Sequence, residues 1–470
     1  MDSSSTDGMD AFFNAGGVAV FGSLDEWGGL GHGVLYNMAE FGYEGRVYPI
    51  NPSRDEAMGR KVYRSVGEVG EAIDLAVVIT PRPTVPGIVD ECARSGIRAA
   101  IVISESFAEA DGEGGRLQRQ LVEIARRTGI RIMGPNTVGV LNASNGLITV
   151  PYLLGYSGIR KGGIAYCSQT GIAAPQCQPL GDREIGISKM CDIGNKCDVN
   201  EADMLDYLRD DPETSVVAMH LEDVKDGRRF IECARKLTNR KPLVVLKPGR
   251  TEAAARASRS HTGSLTGNDA CYDNAFKQAG AIRVSTWQEF WDVPKVFASS
   301  PLPEGNRIGL VTHSGGAGVV AADVAVESGL TLSAFSPATV DKLARISPRL
   351  TTNPLDLGPV LSAFDDPFAV QEEICALVMD DPNVDCVSFG IYAGILSPVQ
   401  VLCVMFDRLK DRISKPVTVY VYGPRLASTA EMCRQLEVRG LPTYFDAETA
   451  VRALGMAAGY AAYRREVENA

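Results

Sequence analysis

The sequence predicts an α/β protein: a doubly wound, Rossmann-like domain followed by two copies of a second doubly wound domain. Three observations predict it. Short apolar β-type runs alternate with helix-length segments over the first third of the chain, the signature of βαβ units and a mostly parallel sheet. The remainder repeats itself, strand for strand. Glycine is abundant, at 48 of 470 residues, and aromatics make up only 7%, as suits many tight strand–helix turns.

In chain order, the polar start "MDSSSTDGMD" reads as a short loose tail, with no basic segment before an apolar core. "GGVAVFGS" is a strand entering glycines, and "GHGVLYNMAEFG" has helical spacing. "GRVYPINP", "AIDLAVVITP", "RAAIVISESF" and "IRIMGPNTVGVLN" follow as strands, separated by helices such as "TVPGIVDECARSG". The segment closes near Asn145, and "LITVPYLLGYSGIRKG" reads as a linker. The domains expected are 1–145, 155–298 and 302–465.

The repeat joins the second and third of these. "GGIAYCSQTGIAA" matches "NRIGLVTHSGGAGVVAAD", each a strand, a Ser/Thr/Gly turn and a helix. "LRDDPETSVVAMHLE" matches "VMDDPNVDCVSFGIY", and "KPLVVLKPGR" matches "KPVTVYVYGPR". "FKQAGAIRVSTWQEFWDVPKVFA" matches "LEVRGLPTYFDAETAVRALGMAA". One difference stands out. Arg250 and Gly280 are 30 positions apart, whereas the matching Arg425 and Gly440 are 15 apart. The extra segment holds "SRSHTGSLTGND", and a loop present in only one of two like domains points to function.

Composition excludes several classes. A formal charge of −11 argues against a general nucleic-acid binder. An anionic ligand stays possible, because backbone N–H groups at helix starts bind phosphate without net positive charge. The eleven cysteines form no CxxC pair, and Cys191 and Cys197 lack partners at metal spacing, so no metal site is expected. No apolar run is long enough to span a membrane. A cytoplasmic location is expected.

The chain has four histidines. His261 sits in the extra loop, followed by Gly263 and Gly267, which permit close approach of a ligand, and by Thr262 and Ser264, whose hydroxyls can donate to phosphate-like oxygens. A neutral imidazole is a nucleophile that forms covalent intermediates. A phosphohistidine would need anion stabilisation, and two strand–turn–helix junctions offer it: Ser168, Gln169, Thr170 and Gly171 in one copy, and Ser314, Gly315 and Gly316 in the other. Glu222 closes a buried-type strand and reads either as a solvated loop acid or as the acceptor of a hydrogen bond from the imidazole that would fix its tautomer. His32 reads as a helix-start surface residue. His220 and His313 flank the proposed site, and capping or space-filling accounts equally for them. In the first domain, "FGSLDEWGGLGHG" suits a nucleotide pyrophosphate, and Asn51, Pro52 and Arg54 after the second strand suit an extra ribose phosphate, such as NADP or coenzyme A carries.

Taken together, "GNKCDVNEADMLDYL", "LEDVKDGRRF", "KPGRTEAAARASRSHTGSLTGNDACYDNAFKQAGAIRV" and "THSGGAGVVAAD" resemble the nucleoside-diphosphate-forming acyl-CoA synthetases, the superfamily of succinyl-CoA synthetase. The likeness is to the α subunit of the ADP-forming acetyl-CoA synthetase type and covers essentially the whole chain. It implies a CoA-binding domain and two flavodoxin-like ligase domains. It implies a phosphorylated histidine at His261 and its pairing acid at Glu222, with the two junctions stabilising the phosphohistidine. CoA contacts are implied at Gly22, Ser23, Asn51, Pro52, Arg54, Pro81, Ser104 and Asn136. The implied reaction interconverts acyl-CoA, ADP and phosphate with carboxylic acid, CoA and ATP through an acyl phosphate. No ATP-grasp segment is found in the chain, so ATP/ADP and Mg2+ are expected through a partner β subunit, in a hetero-oligomer such as α2β2. A non-catalytic CoA-binding regulatory or scaffold protein of the same fold is the competing reading.

Departures from the family cluster in the CoA-binding domain. "GSL" with Asp25 and Glu26 stands where relatives have Gly-Ala-Ser, "SESF" where they have Ser-Ala-Gly-Phe, and Thr137 where many have Cys. Acid beside a phosphate site is repulsive.

Overall fold

The computed structural model describes residues 4–26, 28–254, 256, 268–394, 399–409 and 412–469. It divides into two compact units, Met1–Ser285 and Thr286–Ala470.

The first unit holds two large sheets. One has five parallel strands in the order Arg46–Ile50, Gly17–Gly22, Leu75–Ile79, Ala99–Val102 and Arg131–Met133. Its inner strands read "GVAVFG", "LAVVI" and "AAIV" and are buried almost throughout, as a sheet covered on both faces demands. Helices Leu30–Glu40, Val85–Arg94 and Gly112–Thr128 alternate with these strands. The last is capped at Asp111, whose side chain accepts from Gly114 N, and ends at Gly129 in the left-handed region that favours glycine.

The other sheet runs Ile282–Val284, Leu243–Leu246, Val216–His220, Lys161–Ser168 and Ile187–Asp192, all parallel. Val140–Asn142 and Leu147–Ile148 extend it antiparallel. The second unit repeats the parallel order with Thr443–Tyr444, Val417–Tyr422, Cys386–Tyr392, Arg307–Thr312 and Thr331–Leu332. Every five-strand set therefore places its second strand outside its first, and its third, fourth and fifth on the other side. That is the doubly wound, flavodoxin-type order, and ligands bind such folds at the carboxyl ends of the strands, where the order reverses.

Three segments differ from the sequence expectation. The polar start is not a loose tail: Ser4–Asn14 is a helix. Met9, Phe12 and Phe13, at i, i+3 and i+4, are buried, and Phe13 stacks on Tyr207 at 5.2 Å. The segment expected to link the first two domains is partly structural. Leu147, Ile148 and Val150 are buried, and Thr149 Oγ1 accepts from Val140 N at 2.9 Å. Finally, no α-helix follows Ser168. Three single 3₁₀ turns stand there instead, at Gly171–Ala173, Pro175–Cys177 and Leu180–Asp182. Pro175 and Pro179 lack the N–H groups that a continuing helix would need.

No helix of the described residues is long and apolar enough to cross a membrane.

Candidate active site

In the first unit a cleft of about 860 Å³ opens along the carboxyl ends of the strands of both large sheets. Ile79, Ser104, Asn136, Thr137 and Val138 line it from one side, and Gln169, Thr170, Gly171, Asp192 and Glu222 from the other. The structure thus brings together six residues singled out in the sequence: Ser104, Asn136, Gln169, Thr170, Gly171 and Glu222.

The geometry around Glu222 is set by Gln169. Its Oε1 accepts from Glu222 N at 2.9 Å and from Asp223 N at 3.3 Å, while its Nε2 donates to Asp223 Oδ1 at 2.8 Å. One amide therefore ties the first strand's end to the third's. Behind it lies Lys196, its side chain fully buried. Its Nζ donates to Glu201 Oε2 at 2.9 Å and to the Asp223 carbonyl at 2.9 Å, and pairs with Asp223 Oδ1 at 2.7 Å. Glu201 in turn accepts from Lys225 N at 2.8 Å. A buried ammonium is tolerated only when its donors are met, and here they are. Burial would raise the Asp223 pKa, but the Lys196 charge and hydrogen bond, with Gln169 and Lys225, outweigh it and hold it down at about 2.

Ser168, almost fully buried, spends its hydroxyl on its own turn, donating to Thr170 O at 3.0 Å and accepting from Thr170 N at 3.0 Å. With no α-helix behind it, this junction offers turn N–H groups rather than a helix dipole, which corrects the expectation for this copy. His261 and the loop Ser258–Gly267 lie outside the described residues.

The CoA-domain candidates divide. Ser104 Oγ donates to Thr80 O at 2.6 Å and accepts from Thr80 N at 3.1 Å, fixing the turn before Pro81. Asn136, at φ 59°, takes the left-handed conformation that Asn tolerates better than most residues. Gly22, Ser23, Asn51, Pro52, Arg54 and Pro81 lie outside the cleft lining. Asn51 Nδ2 donates to Gly22 O at 2.9 Å, and its Oδ1 accepts from Ser53 N at 2.8 Å. Arg54 pairs with Asp25, which also accepts from Ser23 Oγ at 3.0 Å. The acid that departs from the family pattern is thus engaged by the arginine proposed for a ribose phosphate.

In the second unit Ser314 caps the helix Gly315–Glu327, its side chain accepting from Ala317 N at 3.5 Å. A side chain at Gly315 would meet Asp356 Oδ2 at 3.0 Å, and one at Gly316 would meet only the Ser314 hydroxyl, at 3.9 Å. His313 Nδ1 donates to Gly390 O at 2.9 Å. Burial lowers the pKa of this imidazole, so it is neutral, and Nε2 is left as an acceptor. Its 3.3 Å neighbour on Gln371 is then the amide NH2 rather than the oxygen. His220, 2% exposed, has its pKa pushed down to about 3 by burial and by Lys247, which makes it a neutral core residue. His32 lies in the first turn of the helix Leu30–Glu40, its ring stacked toward Tyr36 at 6.5 Å.

Sequence reasoning passed over Asp192. It ends the strand Ile187–Asp192, is 4% exposed and lines the cleft. Its carboxylate accepts from Val138 N at 3.0 Å and Gly194 N at 3.1 Å. Burial nonetheless pushes its pKa up to about 7, and the Glu222 charge adds to the rise. The signal in the sequence was a lone acid closing the run "ISKMCD".

Comparison with known proteins fits this geometry. Residues 17–143 match the CoA binding domain model, 161–297 the succinyl-CoA ligase like flavodoxin domain and 308–465 the ligase-CoA domain. The chain is 36% identical to the acetate–CoA ligase [ADP-forming] II subunit alpha of Pyrococcus furiosus, over 93% of this chain and 94% of that one. It belongs to the ADP-forming acyl-CoA synthetase family.

Other members of the family are similar over comparable spans. The subunit alpha of the P. furiosus ligase I is 34% identical, over 95% of this chain and 96% of its own. A longer acetate–CoA ligase [ADP-forming] II of Archaeoglobus fulgidus is 35% identical over 95% of this chain, which spans 66% of that relative. Among solved structures, the dinucleotide forming acetyl-coenzyme A synthetase 1 of Ca. Korarchaeum cryptofilum, in complex with phosphate and ADP, superposes with a TM-score of 0.89. Its sequence is 32% identical, and 99% of each chain is covered.

Proposed function

We propose that this chain is the α-type subunit of an ADP-forming acyl-CoA synthetase, interconverting acyl-CoA, ADP and phosphate with a carboxylic acid, CoA and ATP. One observation carries this reading. Ser104 and Asn136 of the CoA-binding domain share a single cleft with Gln169, Thr170, Gly171 and Glu222 of the flavodoxin-like domain. CoA is a substrate here, and the cleft joins the domain that would hold it to the residues that would handle phosphate.

In this scheme His261 takes the phosphoryl group from an acyl phosphate and passes it to ADP, or the reverse in the synthetic direction. Glu222 accepts a hydrogen bond from the imidazole, leaving the other ring nitrogen to attack. Gln169 holds the Glu222 backbone in place, and Lys196 holds Asp223 behind it. Thr170 and Gly171, and separately Ser314, Gly315 and Gly316, are proposed as N–H and O–H donors to phosphoryl oxygens. Gly22, Ser23, Asn51, Pro52, Arg54, Pro81, Ser104 and Asn136 are assigned to CoA. The domains taking part are 1–145, 155–298 and 302–465. The nucleotide site, with Mg2+, is assigned to a partner β subunit of ATP-grasp type in an α2β2 assembly. Relatives named as subunit alpha support the existence of a partner subunit. A cytoplasmic location suits eleven cysteines that are all free.

The test is incubation of the chain with its partner subunit and γ-labelled ATP. Acid-labile, base-stable label on this chain, lost in His261→Ala, is expected. A chain that binds CoA but never takes label would be a non-catalytic relative of the same fold.

A further inference from the structure

Transfer of an acyl group from acyl phosphate to CoA needs a base, because a thiol ionises only near about pH 8.5 and the thiolate is the nucleophile. The acids lining the cleft of the first unit are Glu105, Glu109, Asp192, Glu222 and Asp223, with Lys225 the cation among them. Most are committed elsewhere. Glu109 accepts from Ser106 N, Phe107 N and Asn195 Nδ2 at 2.7, 3.1 and 2.5 Å. Asp223 is bound to Lys196, Lys225 and Gln169 and is too weak a base. Glu105 is exposed, and the proposed function assigns Glu222 to the imidazole. Asp192 differs from all of these. It is buried in the cleft wall, where the loop 134–139 of the CoA-binding domain meets the strand ends of the flavodoxin-like domain. Each carboxylate oxygen receives a single backbone N–H, from Val138 and from Gly194, so each keeps a lone pair. Its own carbonyl accepts from the Thr137 hydroxyl, which pins the residue from the same side.

We propose that Asp192 is the proton carrier of acyl transfer, taking the CoA thiol proton as sulfur attacks the acyl carbon and returning it to the departing phosphate. The step balances. The S–H bond breaks and the proton moves to the Asp192 carboxylate. The S–C bond forms, the acyl C–O bond breaks, and the leaving phosphate collects the proton as hydrogen phosphate. Acyl phosphate dianion and neutral thiol thus become thioester and hydrogen phosphate dianion, with Asp192 regenerated. In the other direction the carboxylate takes the proton from hydrogen phosphate and gives it to the departing thiolate. This assignment rests on the proposed acyl-CoA synthetase activity. Burial and the neighbouring Glu222 charge set the carboxyl near pH 7, where a group that must both take and give a proton works best.

The experiment uses the full chain with its partner subunit, acetyl phosphate and CoA as the probe pair, and thioester formation as the readout, across pH values on both sides of about 7. For the wild type, the transfer rate should fall with acid as Asp192 is protonated. Asp192→Asn should lower kcat by about 10²- to 10⁴-fold, the range for loss of a general base, and abolish that acidic limb. Thr137→Val removes a tether of the same residue without touching the carboxylate, and should keep the limb. Retention of the limb in Asp192→Asn, or a kcat within about threefold of wild type, overturns the proposal, since a change that small is what a site without a chemical role gives. Loss of the limb in Thr137→Val also overturns it, by showing that tethering alone sets the profile. A wild-type complex that forms no thioester would instead overturn the synthetase reading on which the proposal rests.

Discussion

The two flavodoxin-type domains solve one geometric problem with different chemistry. At the end of each first strand a hydroxyl closes the same turn. Ser168 Oγ bridges Thr170 N and O, and Thr312 Oγ1 bridges Ser314 N and O at 3.2 and 3.3 Å. The next residue ties that turn to the third strand. In the first copy this is Gln169, bonded to Glu222 and Asp223; in the second it is His313, bonded to Gly390. Then the copies part. Ser314 caps a 13-residue helix, while Thr170 makes no side-chain cap and leads into 3₁₀ turns broken by prolines. Glu222 holds the position that Tyr392 holds in the other copy. Duplication kept the scaffold and one acid: Asp356 pairs with Thr312 and accepts from Gly358 N as Asp192 pairs with Ser168 and accepts from Gly194 N. Lys196, Glu222 and Asp223, by contrast, have no charged counterparts among the residues lining the second unit's strand-end cavity, which include His313, Gln371, Phe368, Tyr392 and Tyr422.

The sharpest way to break this contrast is at the matched third-strand ends. Glu222→Gln should slow phosphorylation of the chain by about 10²- to 10⁴-fold, whereas Tyr392→Phe should stay within about threefold, as measured by rapid-quench labelling. Equal losses at both would show that the copies share the chemistry. Lys196→Met comes next. It strands the Glu201 and Asp223 carboxylates in the interior, and should cost about 3–5 kcal/mol in denaturant unfolding, as loss of one partner of a buried ion pair does. Ser314→Ala should cost about 1 kcal/mol for a lost N-cap, and Thr170→Ala, which caps nothing, clearly less. The smallest effect belongs to the CoA-binding domain. Asp25→Ala frees Arg54 from a half-exposed pair worth at most about 1 kcal/mol, and should lower the KM for CoA by up to about fivefold. A rise in that KM would mean that the pair itself, rather than free Arg54, serves CoA.

The topology was legible because apolar runs and helical segments alternate cleanly, and because internal repetition counts each pairing twice. The importance of the His261 loop came from the same repetition. What escaped was either non-local or electrostatic. Nothing in "VLN" or "LI" says that Val140–Asn142 and Leu147–Ile148 join the following sheet, since antiparallel extension is a choice among distant partners. Pro175 and Pro179 were visible, yet the repeat's strand–turn–helix pattern masked their effect on the first copy. Lys196 and Asp192 drew no notice in "CDIGNKCD", because burial of a charge depends on partners that the local sequence does not name. Arg54 was found as a cation, but its pairing with Asp25 required the fold.

The central claim is that phosphoryl chemistry resides in the first of the two copies, at His261. Its most direct test is labelling of the chain by γ-labelled ATP and the partner subunit, followed by mapping of the modified peptide. The account predicts one acid-labile phosphoryl group on the peptide containing His261, absent in His261→Ala and strongly slowed in Glu222→Gln. Label that persists in His261→Ala, or that maps to His313 in the second copy, would contradict it.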